Sequence, residues 1–200
     1  MWEEPEISGS SREKVPARAV GVPYERKTIV PVIRVTCPEN ALTAEQKEKL
    51  APLLLDAVAR QEVDPVTDES RAATFIVFNE IPLRNCFLSK DPFWMVEGFI
   101  AAGFFTQARR DAAQTAITKA FISVLGDDGS SIEINGVRIA PAYLWRLYSL
   151  LVEIPEGSWA AGGVPVSALE IGHLLGSDKD PQRWSELKEN TAKLTAARPS

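Results

Sequence analysis

Apolar and polar positions follow two matching series along the chain, and each series predicts a strand, a helix and a second strand. The first series opens with a β-branched run at 28–37, which predicts a strand. Thr43 with Gln46 forms a capping-box start for a helix. The apolar positions of that helix recur at three- and four-residue spacing: Leu50, Leu53, Leu54, Ala57 and Val58. A strand at 74–78 then leads into the turn Glu80-Ile81-Pro82.

The second series repeats this order. Residues 93–100 predict a strand, Thr106 caps a helix with an apolar face, and a strand at 147–152 ends in Glu153-Ile154-Pro155. The apolar face of this helix contains Ala113, Ala116, Ile117, Ala120, Phe121 and Val124. The two capping threonines lie 63 residues apart and the two Glu-Ile-Pro turns lie 73 apart. The excess falls at 132–139, where Asn135-Gly136 is typical of a tight hairpin. We interpret the pattern as an internal duplication.

The two ends of the chain have a different character. Residues 1–27 are rich in Pro, Gly and Ser, which indicates either an arm that packs on the core or a neighbouring subunit, or a tail without a role. Near the other end, Asp180-Pro181 opens an amphipathic helix through Trp184, Leu187 and Leu194. We therefore expect an N-terminal arm at 1–27, a central domain at 28–169 (repeats 28–92 and 93–169) and a helical extension at 170–200.

Composition narrows the classes of function. The net charge of -5 argues against a basic surface that would bind nucleic acid. Two cysteines, Cys37 and Cys86, are too few for a disulfide scaffold and fit a reducing compartment, and a single histidine argues against catalytic triads and histidine-rich metal sites. No stretch has the length of a membrane span and the N-terminus lacks the pattern of a signal peptide. We expect a cytoplasmic protein without metal or membrane contacts.

Two segments resemble a known family. The run Pro31-Val32-Ile33-Arg34-Val35, followed after a loop by Thr43-Ala44-Glu45-Gln46-Lys47, is similar to the opening of a 4-oxalocrotonate tautomerase subunit. The segment 152–163, with its Glu, one aromatic residue and a Gly-Gly, resembles the end of such a subunit. The resemblance implies an α+β fold of two fused β-α-β repeats, with a mixed sheet, helices on one face and assembly as a trimer. It also implies a cofactor-independent isomerase of small keto or enol acids, in which an amino-terminal proline is the base and arginines bind the substrate carboxylates.

Pro31 aligns with the catalytic proline of the family, but it follows Val30 inside the chain, so its nitrogen is an amide without a basic lone pair. The alternative interpretation is that Pro31 only marks an edge strand or the beginning of a strand. The second repeat offers no substitute, because Trp94 or Met95 stands at the matching position.

The resemblance assigns the family's substrate-binding positions to residues of this chain, and some of these positions hold a different residue type. Trp159 matches the pocket aromatic, although packing across a subunit interface is equally open, and Cys86 holds that place in repeat one. The substrate-arginine position is Phe75 in repeat one and Tyr148 in repeat two. Arg146 shares the strand face of Tyr148 and is the best replacement, with a surface role as the alternative.

Other polar residues receive weaker assignments. Arg71 and Arg84 lie in connecting segments from which they could reach a pocket. We expect structural roles for Glu80, Glu153 and His173, a core position for Cys37 and a solvated helix face for Arg109-Arg110; Arg34 lies on the face opposite to Pro31.

Two functions follow from these observations. The first is the isomerase, which needs either removal of the first 30 residues or another base. The second is a non-catalytic binding or assembly module that kept the tautomerase fold and lost the base.

Overall fold

The computed structural model describes residues 31–87 and 91–196, which form a four-stranded sheet with helices on one face. The strands of this sheet are β1 (Val32–Pro38), β2 (Phe75–Ile81), β3 (Trp94–Ala101) and β6 (Leu147–Ile154). The helices are α1 (Ala44–Glu62), α2 (Asp68–Ala73), α3 (Gln107–Leu125), α4 (Ala168–Leu175) and α5 (Pro181–Ala196). Two small hairpins complete the fold: β4 (Ile132–Ile134) with β5 (Val137–Ile139), and β7 (Ala160–Ala161) with β8 (Val164–Pro165).

The sheet is built around a pseudo-twofold axis. Its order is β2-β1-β3-β6; β2 is parallel to β1 and β6 is parallel to β3, whereas β1 and β3 are antiparallel. Arg34 and Glu97 face each other in the central pair and occupy equivalent positions of the two repeats. The Arg34 guanidinium donates to both Glu97 carboxylate oxygens, at 2.7 and 2.9 Å. A bidentate ion pair therefore joins the repeats at the axis itself.

The strand register supports the duplication inferred from sequence. Glu80 of β2 faces Cys37 of β1, and Glu153 of β6 faces Ile100 of β3. Both members of each pair match their counterparts at the offsets of 63 and 73 residues seen in the sequence. The insertion that separates these offsets is the β4–β5 hairpin, as predicted; Gly136, with φ of 79°, supplies the positive backbone angle of its turn.

One sheet face and the two long helices enclose the core. Thr43 caps α1 with the predicted capping box, and the Thr106 hydroxyl accepts from the Arg109 amide at the start of α3. Fully buried side chains from the inner strands and both helices meet there: Ile33, Val35, Val96, Ile100, Leu50, Leu54, Val58, Ile117 and Phe121. Leu53 was expected in this core, but it is 40% exposed, because it lines the outer cleft between α1 and α3.

The opposite sheet face carries no helix of the described residues. Phe75 and Val77 on β2 are 50% and 49% exposed, and their repeat-two counterparts Tyr148 and Leu150 are 56% and 43% exposed. The two outer strands therefore present matched apolar pairs to solvent.

Two helices follow the duplicated unit and pack on its helix side. The predicted α5 starts at Pro181 and buries Leu187, while Leu194 remains 42% exposed. α4 was not predicted. Gly172 of α4 lies so close to α5 that a Cβ atom there would be 2.6 Å from Leu187 Cδ2. A larger residue at this position would force the Leu187 side chain to shift.

The α+β prediction of two fused β-α-β repeats with an added C-terminal helix is confirmed. The predicted N-terminal arm at 1–27 and the first three residues of the predicted first strand lie outside the described residues. None of the helices in the described ranges is long and apolar enough to cross a membrane.

Candidate active site at the Pro31 end of the sheet

Pro31 lies immediately before β1, at one end of the sheet. It is buried, and its carbonyl oxygen accepts the Phe75 N–H at 3.2 Å. Position at the beginning of a strand is as predicted, but β1 lies between β2 and β3 and is not an edge strand. The nitrogen of Pro31 forms the peptide bond to Val30, so it holds no proton and no basic lone pair.

Several connections meet at this end. Because Val32 pairs with Phe99, the start of β1 lies beside the end of β3. β2 begins here and β6 ends here, since Phe75 faces Val32 and Ile154 faces Ala101. The end of α1, the helix α2, the β3–α3 connection and the β7–β8 hairpin therefore surround the Pro31 end of the sheet.

Two of the predicted site residues belong to this end. Trp159 precedes β7, is partly buried against the core, and accepts the Val166 N–H on its carbonyl oxygen at 2.9 Å. Arg71 lies on α2, but its guanidinium is 2.8 Å from the carboxylate of Asp56. Trp159 therefore packs against the core of its own chain, and Arg71 is already engaged by a carboxylate.

The other three candidates lie at the opposite end. Arg146 immediately precedes β6 and is 2.6 Å from Asp91. Tyr148 lies on the helix-free face and Arg84 in the short helix after β2. Along the sheet this end is about 20 Å from Pro31, roughly the length of a strand. Within one chain these residues do not converge on Pro31.

The position of repeat two that corresponds to Pro31 is filled by Trp94. This side chain is 5% exposed and packs at ring-centroid distances of 5.8 Å from Phe121 and 6.0 Å from Tyr143. In repeat two, the position that corresponds to Pro31 is therefore part of a packed aromatic cluster.

Arg109 and Arg110 are the cations for which the sequence prediction was wrong. Arg109 is bound rather than solvated: it donates to the Phe104 carbonyl at 2.9 Å and lies 2.6 Å from Glu186 of α5. Arg110 is 2.7 Å from Glu153. The offset of 63 residues makes Arg110 the repeat-two counterpart of Lys47. This correspondence was a sequence signal for the contact between Arg110 and Glu153.

A cleft of about 280 Å³ lies beside these arginines, between the β3–α3 connection and α5. Arg110, Glu153, Asn190 and Lys193 supply its polar groups. Glu153, near the end of β6, places this cleft at the Pro31 end of the sheet.

The twin glutamates have structural surroundings. Lys47 lies 2.6 Å from Glu80, and Arg110 makes the equivalent contact to Glu153. The hydrogen bond from Lys47 lowers the pKa of Glu80, so this carboxylate stays ionised. Each glutamate ties the end of a repeat's second strand to the first turns of that repeat's helix, which agrees with a structural role.

Cys37 is fully buried, as expected for a core position. Burial, together with the negative charge of Glu80, raises the pKa of its thiol to about 11. A thiol in this state does not act as a nucleophile at neutral pH.

Comparison with known proteins agrees with this architecture. Residues 31–95 match the tautomerase family, described as tautomerase enzyme, and the match begins at Pro31. No curated protein matches the chain significantly.

Solved structures match over the whole duplicated unit. One is the F6 fused 4-OT wild type, an asymmetric trimer, with 21% identity, a TM-score of 0.51 and coverage of 70% of this chain and 98% of that chain. A second is Pt0534 inactivated by 2-oxo-3-pentynoate, with 21% identity, a TM-score of 0.50 and the same coverage. The Q0 fused 4-OT wild type, a symmetric trimer, is 19% identical with a TM-score of 0.50, again over 70% of this chain and 98% of that one. The chain therefore has the fold of the fused, two-repeat 4-oxalocrotonate tautomerases, and its residues 31–95 match the tautomerase family.

Proposed function

We propose that the chain is a latent, cofactor-independent tautomerase of small keto or enol acids, in which cleavage of the Val30–Pro31 bond frees the catalytic base. The observation that carries the proposal is that the tautomerase match begins at Pro31, at the start of a central strand. The intact peptide bond makes the uncut chain inactive at this atom.

The chemistry follows from the nitrogen that cleavage would release. A secondary amine among buried apolar groups loses its proton more easily than one in water, because burial disfavours the ammonium form. The free amine removes a proton from the carbon beside the substrate's carbonyl group, and the enolate that forms is protonated at oxygen or at another carbon. The same nitrogen returns the proton, so no other reactant is consumed.

The candidate binding residues divide between two sources. We assign Arg71 and Trp159 to the Pro31 of their own chain, since they lie at that end of the sheet. We assign Arg84, Arg146 and Tyr148 to the Pro31 of a neighbouring copy. Arg71 is paired with Asp56, and Arg146 is paired with Asp91. For either arginine to bind substrate, the substrate carboxylate has to replace that aspartate.

This assignment requires a homo-oligomer, and we propose a trimer. The support is the helix-free sheet face with its matched apolar pairs, together with the two structural relatives described as fused 4-OT trimers. A cytoplasmic location and the domain boundaries at 28–169 and 170–200 remain predictions.

The test compares the full chain with a chain released so that Pro31 is the first residue. The enol forms of phenylpyruvate and 2-hydroxymuconate serve as substrates, and ketonisation is followed by absorbance. We expect the released chain to exceed the full chain by about 10²–10⁴-fold, the usual contribution of a positioned general base. The released Pro31→Ala variant is the control for the ring nitrogen, and circular dichroism verifies that both chains fold. Equal rates in the full and released chains would reject Pro31 as the base.

The second candidate is a non-catalytic binding or assembly module. Trp94 in the second site and Phe75 in the substrate-arginine position of the first favour it. Folded, trimeric released chains without turnover of either acid would establish this function instead.

A further inference from the structure

Glu62, the last residue of α1, is buried without a partner for its charge. It is 1% exposed, and neither carboxylate oxygen has a hydrogen-bond partner among the described residues. The equivalent residue of repeat two, 63 positions later, is Leu125 at the end of α3. The fold therefore needs no carboxyl group at this position.

The two helices that follow the duplicated unit are bonded to the main chain at the end of α1, where Glu62 lies. We call residues 168–196, from α4 to α5, the C-terminal cap. The Ser177 hydroxyl donates to the Glu62 carbonyl at 2.9 Å, Arg183 donates to the Arg60 carbonyl at 2.9 Å, and Thr67 donates to the Leu175 carbonyl at 3.4 Å. These bonds hold the cap through main-chain oxygens at the end of α1 and before α2, and the Glu62 side chain is buried at this junction.

The cap also reaches the Pro31 end of the sheet. Asn190 donates to the Gly103 carbonyl at 3.0 Å, Glu186 binds Arg109, and a Cβ on Gly172 would lie 3.5 Å from Phe104. Two of these contacts are on the connection that follows β3 and the third is on the first turn of α3, so all three lie beside the start of β1. Release of the cap would therefore uncover this end of the sheet.

We propose that the cap is docked only while Glu62 is protonated and that it opens as pH rises. An ionised carboxylate without partners is too costly in a dry junction, whereas the neutral acid is tolerated and the open state lets water solvate the charge. This inference does not depend on the proposed tautomerase activity.

The direction of the pH dependence follows from proton linkage. Burial raises the pKa of Glu62 to about 8 in the docked state, whereas a solvated glutamate titrates at about 4.3. Between these values the docked state holds one proton more than the open state. The docking constant is therefore highest below the lower value, falls by about tenfold per pH unit between the two, and becomes constant above the upper one.

Other charged groups surround this junction and define the controls. From the neighbouring elements these are Arg60, Asp64, Asp68, Glu69, Arg71, Glu170, His173, Asp178, Lys179, Asp180 and Arg183. Burial alone, and none of these charges, accounts for the raised pKa of Glu62. His173 forms an ion pair with Asp178, at 2.7 Å, within the cap, so His173→Gln is the matched control for the loss of a charged contact there.

Hydrogen exchange measured by mass spectrometry tests the proposal on the full chain. Protection of α4 and α5 is measured from pH 5.5 to 8.5 and corrected for the intrinsic pH dependence of exchange. In the unmodified chain and in His173→Gln we expect protection of these helices to fall with pH, by as much as about tenfold per unit, while the core strands do not change. In Glu62→Gln and in Glu62→Leu, which introduces the residue of repeat two, the pH dependence disappears and the helices stay protected.

Two results would overturn the proposal. One is protection of α4 and α5 that does not vary with pH in the unmodified chain. The other is the same pH dependence in both Glu62 variants, which would assign it to another group. Because Gln and Leu differ in polarity and shape, at least one is expected to fold, and thermal unfolding at pH 6 identifies it.

Discussion

At the scale of single residues, identical side chains serve different purposes depending on their surroundings. Glu80 and Glu153 form a carboxylate pair in the sequence, yet each is held by a cation from its own repeat's helix. Glu62 carries the same group with no hydrogen-bond partner in the part of the chain that the structure describes, and burial shifts its pKa in the opposite direction to that of Glu80. The residue type alone indicates neither role.

We predict that Glu80→Gln lowers the free energy of unfolding by about 0.5–1 kcal/mol at pH 7, the usual range for a partly exposed ion pair. Because the folded-state pKa of Glu80 is lowered, its contribution is present at neutral pH and is lost as pH falls through that value. Urea unfolding at fixed protein concentration measures the difference, which should shrink as the pH is lowered. Glu45→Gln, at a more exposed pair, is the control and should have a smaller effect. Unchanged stability of Glu80→Gln at pH 7 would contradict the structural role.

At the scale of elements, the matched helix caps allow a direct comparison between the repeats. The Thr43 hydroxyl accepts from the Gln46 amide and the Gln46 side chain accepts from the Thr43 amide, whereas Thr106 provides only the hydroxyl contact. We predict that Thr43→Ala costs about 1–2 kcal/mol of unfolding free energy and Thr106→Ala about 0.5–1 kcal/mol. Thr118→Ala, inside α3, should be neutral or stabilising, because alanine is the better helix former. Urea unfolding of the three variants checks the order, and a larger loss at Thr118 would refute it.

The long elements were predictable because their apolar periodicity extends over many residues, and the repeat offsets fixed their register. The shorter helices α2 and α4 were missed, although Ser167 with Glu170 forms a capping box that is readable in the sequence. The pairing of Arg146 with Asp91, and of Arg109 with Glu186, could not be predicted, because both contacts join segments far apart in sequence or on different elements. The bond from Ser177 to the Glu62 carbonyl likewise joins residues that are far apart in the sequence.

At the scale of the whole molecule, the helix-free face is where we place the contacts between copies. We predict that the double variant Val77→Lys, Leu150→Lys dissociates the trimer into monomers, since it introduces charges at two matched apolar positions of that face. Leu53→Lys is the matched control, because Leu53 is similarly exposed but lies on the helix side. Light scattering after size-exclusion chromatography measures the mass. An unmodified chain that elutes as a monomer, or a double variant that stays trimeric, would contradict this placement.

The identity of the base can be measured by covalent labelling. An activated alkyne ketone such as 2-oxo-3-pentynoate, the inactivator of the structural relative Pt0534, is an electrophile for a free, unprotonated amine. We predict that the chain released at Pro31 gains one adduct, mapped by peptide mass spectrometry to the Pro31 nitrogen, and that the full chain gains none at this residue. An adduct absent from Pro31 in the folded, released chain would contradict the proposal that this nitrogen is the latent base.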